Sequence, residues 1–83
     1  MRYQVRPEPI ELEFVDAVQW FPNTGGHPLV APFVEEGKIR GQLKGTAGIA
    51  FIDAGDWIII EEGKYGRVYP WSGEHFHEHF ILA

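Results

Sequence analysis

The sequence predicts a β-dominated α+β domain: a small curved antiparallel sheet or barrel of about five strands, with one short helix. Three observations carry the expectation. Ile10, Leu12 and Phe14 alternate with Glu11 and Glu13, the period of a half-buried strand. Glycines at 41, 45 and 48 interrupt β-type residues in "RGQLKGTAGIAFID", as in a bent strand or two short strands about a turn. Residues 57–60 and 67–71 are apolar runs flanking "EEGKYG", a glycine-bounded loop of hairpin length.

Taken in order, "RPEPIELEFVDAVQWF" opens on two prolines that favour an extended entry. Further on, Val15, Ala17, Gln19 and Phe21 share one face and Val18 and Trp20 the other, which suits a strand between layers or at a subunit contact. "PNTGGH" is a loop by composition. "PLVAPFVEEGK" fits a short helix, with Pro32 in its first turn, Phe33 and Val34 facing inward and Gly37 as its stop. "AGD" at 54–56 is a turn. The run after it sets Trp57 and Ile59 against Ile58 and Ile60, apolar on both faces, as in a strand covered above and below. The return aligns Arg67, Tyr69 and Trp71 opposite Val68 and Pro70. In the tail "SGEHFHEHFILA", a turn at 72–74 and then a strand put His75, His77, His79 and Ile81 on one side. A helix would instead pair His75 with His79 and Phe76 with Phe80. The strand is favoured because the run ends Phe-Ile-Leu.

At 83 residues, the chain is one domain spanning 1–83, with no repeats, low-complexity segments or linker. A chain of this length buries only about 60–65 per cent of its unfolded surface. Aromatic residues at 14 per cent answer part of that deficit, and self-association is the usual other answer. The absence of cysteine excludes disulfides and thiolate metal sites and fits a reducing compartment. The start lacks the apolar core of a signal peptide and no run approaches membrane-spanning length, so no membrane partner is expected. A net charge of −5, with the cations scattered, disfavours duplex nucleic acid, whose binding needs many phosphate contacts. Small phosphorylated ligands stay open.

The candidate chemistry is sparse. HxHxH at 75–79 would place three imidazoles on one strand face, a donor set for zinc, copper or nickel, but a cupin-like site needs further ligands on later strands. An exposed polar face backed by Phe76 and Phe80 is the simpler account, and no metal is assigned. Glu61 and Glu62 point to opposite faces of a strand and cannot act as an acid/base pair. Asp53 and Asp56 flank a turn, where aspartate accepts backbone hydrogen bonds. Ser72, the only serine, sits in a turn with no nucleophile elbow, and "TGGH" lacks the ending of a phosphate loop. No residue is assigned a catalytic role and no cofactor is implied. The aromatic and cationic face remains: Arg67 can pair with an oxyanion, and Tyr69 and Trp71 can stack a base. The same rings could equally fill the core or an interface.

Three stretches carry a family likeness: "VDAVQW" at 15–20, "QLKGTAGIAFIDAGDWIIIEEGKYGRVYPW" at 42–71, and the spacing of Phe76 and Phe80. They resemble a widespread family of small bacteriophage proteins with a (P/A)GDWII…YP hairpin motif. Ala54 stands where that family usually has proline, Trp71 where it often has cysteine and Phe80 where it has tyrosine. The segment "EPIELEF" is an insertion, and His75, His77 and His79 match no histidine pattern of the family. The resemblance implies a phage accessory protein acting in the host cytoplasm, without an established activity. By analogy of size and setting, it is expected to be a non-enzymatic homo-oligomer that binds a small ligand such as a nucleotide-type immune signal. Trp20, Trp57, Arg67, Tyr69 and Trp71 are the expected ligand-binding residues. The alternatives are a module that binds a host protein, a minor virion component, or a metal-binding protein built on the histidine tail.

Overall fold

A computed structural model describes residues 1–5, 14–62 and 66–82. The elements in chain order are β1 (Arg2–Val5), β2 (Phe14–Gln19), β3 (Val30–Glu35), β4 (Lys38–Gly45), β5 (Gly48–Asp53), β6 (Trp57–Glu61), β7 (Val68–Trp71), α1 (Phe76–His79) and β8 (Phe80–Leu82). A single 3-10 turn, Pro22–Thr24, precedes β3. Five strands form one antiparallel sheet in the order β7-β6-β2-β1-β8, and three form a second, β3-β4-β5. The expected β dominance and single short helix hold. The described strands number eight rather than about five, and neither sheet closes into a barrel.

The hairpin at 57–71 forms as expected, with Trp57 opposite Trp71, Ile58 opposite Pro70 and Ile59 opposite Tyr69. Residues 63–65 of its connection, and the alternating segment 10–13, lie outside the described residues. The glycine-punctuated stretch 40–53 takes the second of its two expected forms: β4 and β5 pair about a turn at Thr46 and Ala47.

Two expectations are corrected. Residues 30–35 form strand β3, and the expected helix is absent there. Glu36 and Gly37, with φ of 49° and 77°, make the doubly left-handed turn that hairpins favour, so Gly37 turns the chain instead of ending a helix. Pro32 is accommodated because β3 is an edge strand, where a missing N–H leaves no ladder bond unmade. In the tail, residues 76–79 form one helical turn before β8. The helix pairing prevails there: Phe76 and Phe80 stack at 4.9 Å and 18°.

Strand β6 divides the interior. Trp57 and Ile59 join Tyr3, Val15, Ala17, Phe76 and Phe80 in one core. Ile58 joins Trp20, Val30, Leu43 and Ile52 in a second core, between the two sheets. The first is aromatic, with Phe76 stacked on Trp57 at 3.8 Å and edge-on to Tyr3 at 4.8 Å. Such contacts add about 0.5–1.5 kcal/mol each beyond area burial.

Asp56 ties the β5–β6 turn to the tail. Its carboxylate accepts the N–H of Asp53 at 2.9 Å and of Gly73 at 3.1 Å. A Cβ on Gly73 would overlap the carbonyl of Gly55, which is backbone and cannot rotate away. Gly73→Ala is therefore expected to destabilise by about 1–3 kcal/mol, readable as a lowered Tm. Glu36→Asn should act in the opposite direction, since asparagine tolerates the left-handed region and glutamate does not; a gain of about 0.5–1 kcal/mol is expected by the same measurement.

Candidate functional site

Hairpin pairing fixes the side chains of β7 in alternation, and the β4–β5 turn folds back onto that strand. Thr46 donates its N–H to the Val68 carbonyl at 3.0 Å, and its hydroxyl accepts the Val68 N–H at 2.6 Å. A groove of about 370 Å³ runs beside this seam, lined by Thr46, Ala47, Arg67, Val68, Tyr69 and Trp71. Three of the five expected binding residues, Arg67, Tyr69 and Trp71, thus meet at one concave surface. Tyr69 and Trp71 are half-buried, with ring centroids 6.2 Å apart. Phe80 and His79 meet the Trp71 indole edge-on at 5.3 and 5.0 Å, so it is held in place.

Arg67 forms a two-point pair with Glu61, Nε to Oε1 at 2.8 Å and Nη2 to Oε2 at 2.9 Å. This fork geometry follows from the neighbouring strand ends, where the Glu61 N–H also reaches the Arg67 carbonyl at 2.8 Å. The cation at the groove is consequently balanced by a carboxylate. An arriving anion has to share or displace it.

The other two expected residues lie elsewhere. Trp20 is 1 per cent exposed and fills the second core, out of reach of any ligand at the groove. Its ring packs beside Gly41, where a Cβ would come within 3.0 Å of Cη2. Trp57 is buried between Tyr3 and Phe76 and is a core residue. Sequence reasoning missed Thr46 and Ala47. "KGTAG" announces a turn, but nothing local indicates that the turn docks on a strand some twenty residues later.

The tail does not present three imidazoles together. The helical turn breaks the alternation: His75 bonds Glu78 at 2.8 Å, His77 lies edge-on to Trp57 and His79 to Trp71. No cluster of three or more metal-ligating side chains occurs among the described residues. Ser72 Oγ accepts the Glu74 N–H at 3.2 Å, a local turn contact.

A second, larger cleft of about 650 Å³ lies under the β3–β4 hairpin, lined by Glu35, Glu36, Lys38, Arg40 and Asp53 among others. Arg40 bonds Asp53 at 2.7 Å and Glu35 at 3.2 Å. The hydrogen bond that Arg40 donates to the Asp53 carboxylate is the main cause that holds this guanidinium above its ordinary pKa. Two carboxylates on one cation leave the cleft acidic and without an aromatic wall. The smaller groove has the better chemistry for a flat ligand.

Because the Arg67 side chain is two-thirds exposed, Arg67→Ala is expected to cost no more than about 1 kcal/mol of stability. Chemical denaturation checks this, and a large loss would assign Arg67 a structural role. Comparison with protein-family models, curated proteins and solved structures gives no match to the chain.

Proposed function

We propose that the protein is a non-enzymatic binding protein of phage origin that captures a small planar, anionic ligand at the groove beside β7. The observation that carries the reading is the convergence of Arg67, Tyr69 and Trp71 with Thr46 on one concave surface. Two rings held by the core offer an apolar face for a base, and the Thr46 turn and the Arg67 fork supply polar partners at its margin. A nucleotide-type immune signal in the host cytoplasm has this chemistry, and its sequestration requires no turnover. Self-association accompanies the activity, as the small size of the domain suggests.

The Glu61–Arg67 pair sets the order of contributions. Stacking supplies most of the affinity, and the phosphate gains little until Glu61 is displaced. A thermal-shift screen with cyclic dinucleotides and ADP-ribose derivatives tests the reading; a ligand at a hundred times its Kd stabilises by about 2.7 kcal/mol. Trp71→Ala should abolish the shift. Glu61→Gln should strengthen binding of the anionic ligand several-fold, because it removes the competing carboxylate. A panel without any shift, with capture of a host or virion protein through Tyr69 and Trp71, would replace ligand binding by an interaction module.

A further inference from the structure

Each sheet ends in two edge strands, and three of the four edges are blunted. Strand β7 carries Pro70, and its Val68 backbone is occupied by Thr46. Strand β8 has three residues, and β3 carries Pro32. Strand β5, "GIAFID", has neither proline nor a net run of charge. Its register against β4 settles which of its backbone groups face outward. Asp53, opposite Arg40, gives its N–H to the Asp56 carboxylate and its carbonyl to the Asp56 N–H. Its backbone therefore points away from β4, and the alternation of an antiparallel ladder turns Phe51 and Ile49 the same way. No partner for their outward N–H and C=O groups is found among the described residues.

The side chains at the same two positions are exposed, Ile49 by 68 per cent and Phe51 by 55 per cent. With Phe33, edge-on to Phe51 at 5.7 Å, they form an apolar surface on the outer face of the three-stranded sheet. An open edge combined with an exposed apolar face is the arrangement that recruits another strand.

We infer that the β5 edge joins two copies of this chain, antiparallel about a two-fold axis at Ala50. The pattern is self-complementary. Pairing Ile49 with the partner's Phe51, and Phe51 with the partner's Ile49, satisfies all four outward N–H and C=O groups on each copy with backbone hydrogen bonds. The neighbouring register, which centres on Phe51, would demand the Asp53 groups that Asp56 already holds. Ala50 pairs with itself, and Ile49 and Phe51 cover one another across the seam, so the apolar surface becomes continuous. The product is a six-stranded sheet, β3-β4-β5 followed by its two-fold copy.

The inference is independent of the groove reading, and its test does not use a ligand. Sedimentation of the intact chain is expected to give twice the chain mass. Ile49→Pro removes an outward N–H that takes no part in the β4 ladder, and Ile49→Lys places charge in the seam; both should give a monomer whose circular dichroism matches the parent. Since the chain has no cysteine, Ala50→Cys should cross-link into a covalent dimer under mild oxidation, whereas Gln42→Cys on β4 should not. A parent chain that sediments as a monomer at every concentration would overturn the inference. So would a dimer that survives both Ile49 variants, or one that cross-links through Gln42→Cys and not through Ala50→Cys. A monomer that captures a different protein through Ile49 and Phe51 would assign the edge to that partner instead.

Discussion

Strand β6 must be covered on both faces, and most of the architecture follows from that requirement. Trp57, Ile58 and Ile59 are consecutive and buried, so no single layer can shelter them. One face is closed by Tyr3, Phe76 and Phe80 from the chain ends, the other by the second sheet through Leu43 and Ile52. Burying a large apolar side chain gains about 1.5–3 kcal/mol, and three in a row on one strand is a large share of a small domain's stability. The chain meets the demand with two thin cores in place of one thick one.

The position of the groove is a consequence of that division. Strand β7 is the neighbour of β6 at the end of the five-stranded sheet, so its side chains straddle both cores: Tyr69 and Trp71 pack on the aromatic one, Val68 on the other. Where the second sheet reaches across to β7, the Thr46 turn docks on it and leaves a concave margin. Half-burial of Tyr69 and Trp71 is thus imposed by the fold, which packs both rings against the aromatic core.

The legible parts of the sequence were those decided by period-two patterning. Apolar character on both faces at 57–60 marks an interior strand, and the structure places β6 between β2 and β7. The hairpin was readable from the loop between its two runs, whereas the glycines at 41, 45 and 48 left a bent strand and two strands about a turn both open, and the pairing of β4 with β5 decides for the second. The short helix expected within residues 28–38 was not borne out, because proline and glycine carry opposite meanings in the two element types. Pro32 suits a helix start or a sheet edge, and Gly37 suits a helix stop or a hairpin turn. Only the partner strand β4 resolves the ambiguity, and it lies outside the window in which helix signals are read. Trp20 shows the limit for sites. It was expected to stack on a ligand or wall a pocket, whereas it is buried beside Gly41 of the opposite sheet, a pairing that residue types alone do not reveal.

Trp20 also shows what the two-core solution costs. Its indole N–H is buried with no hydrogen-bond partner among the described residues, a penalty of about 1–3 kcal/mol. A smaller ring would avoid the penalty and leave a void between the sheets, at about 24 cal/mol per Å³ of unfilled volume. The backbone of Trp20 is meanwhile pinned on both sides, N–H to Asp56 at 2.8 Å and carbonyl from Gly55 at 2.9 Å, so the residue cannot withdraw toward solvent. The ring packs with Val30, Leu43, Ile52 and Ile58 in the core between the two sheets. Asp56 holds that same turn, and through Gly73 it also holds the tail that closes the aromatic core. One side of β6 therefore depends on the volume of Trp20, and the other on a carboxylate that fixes the chain on both of its sides.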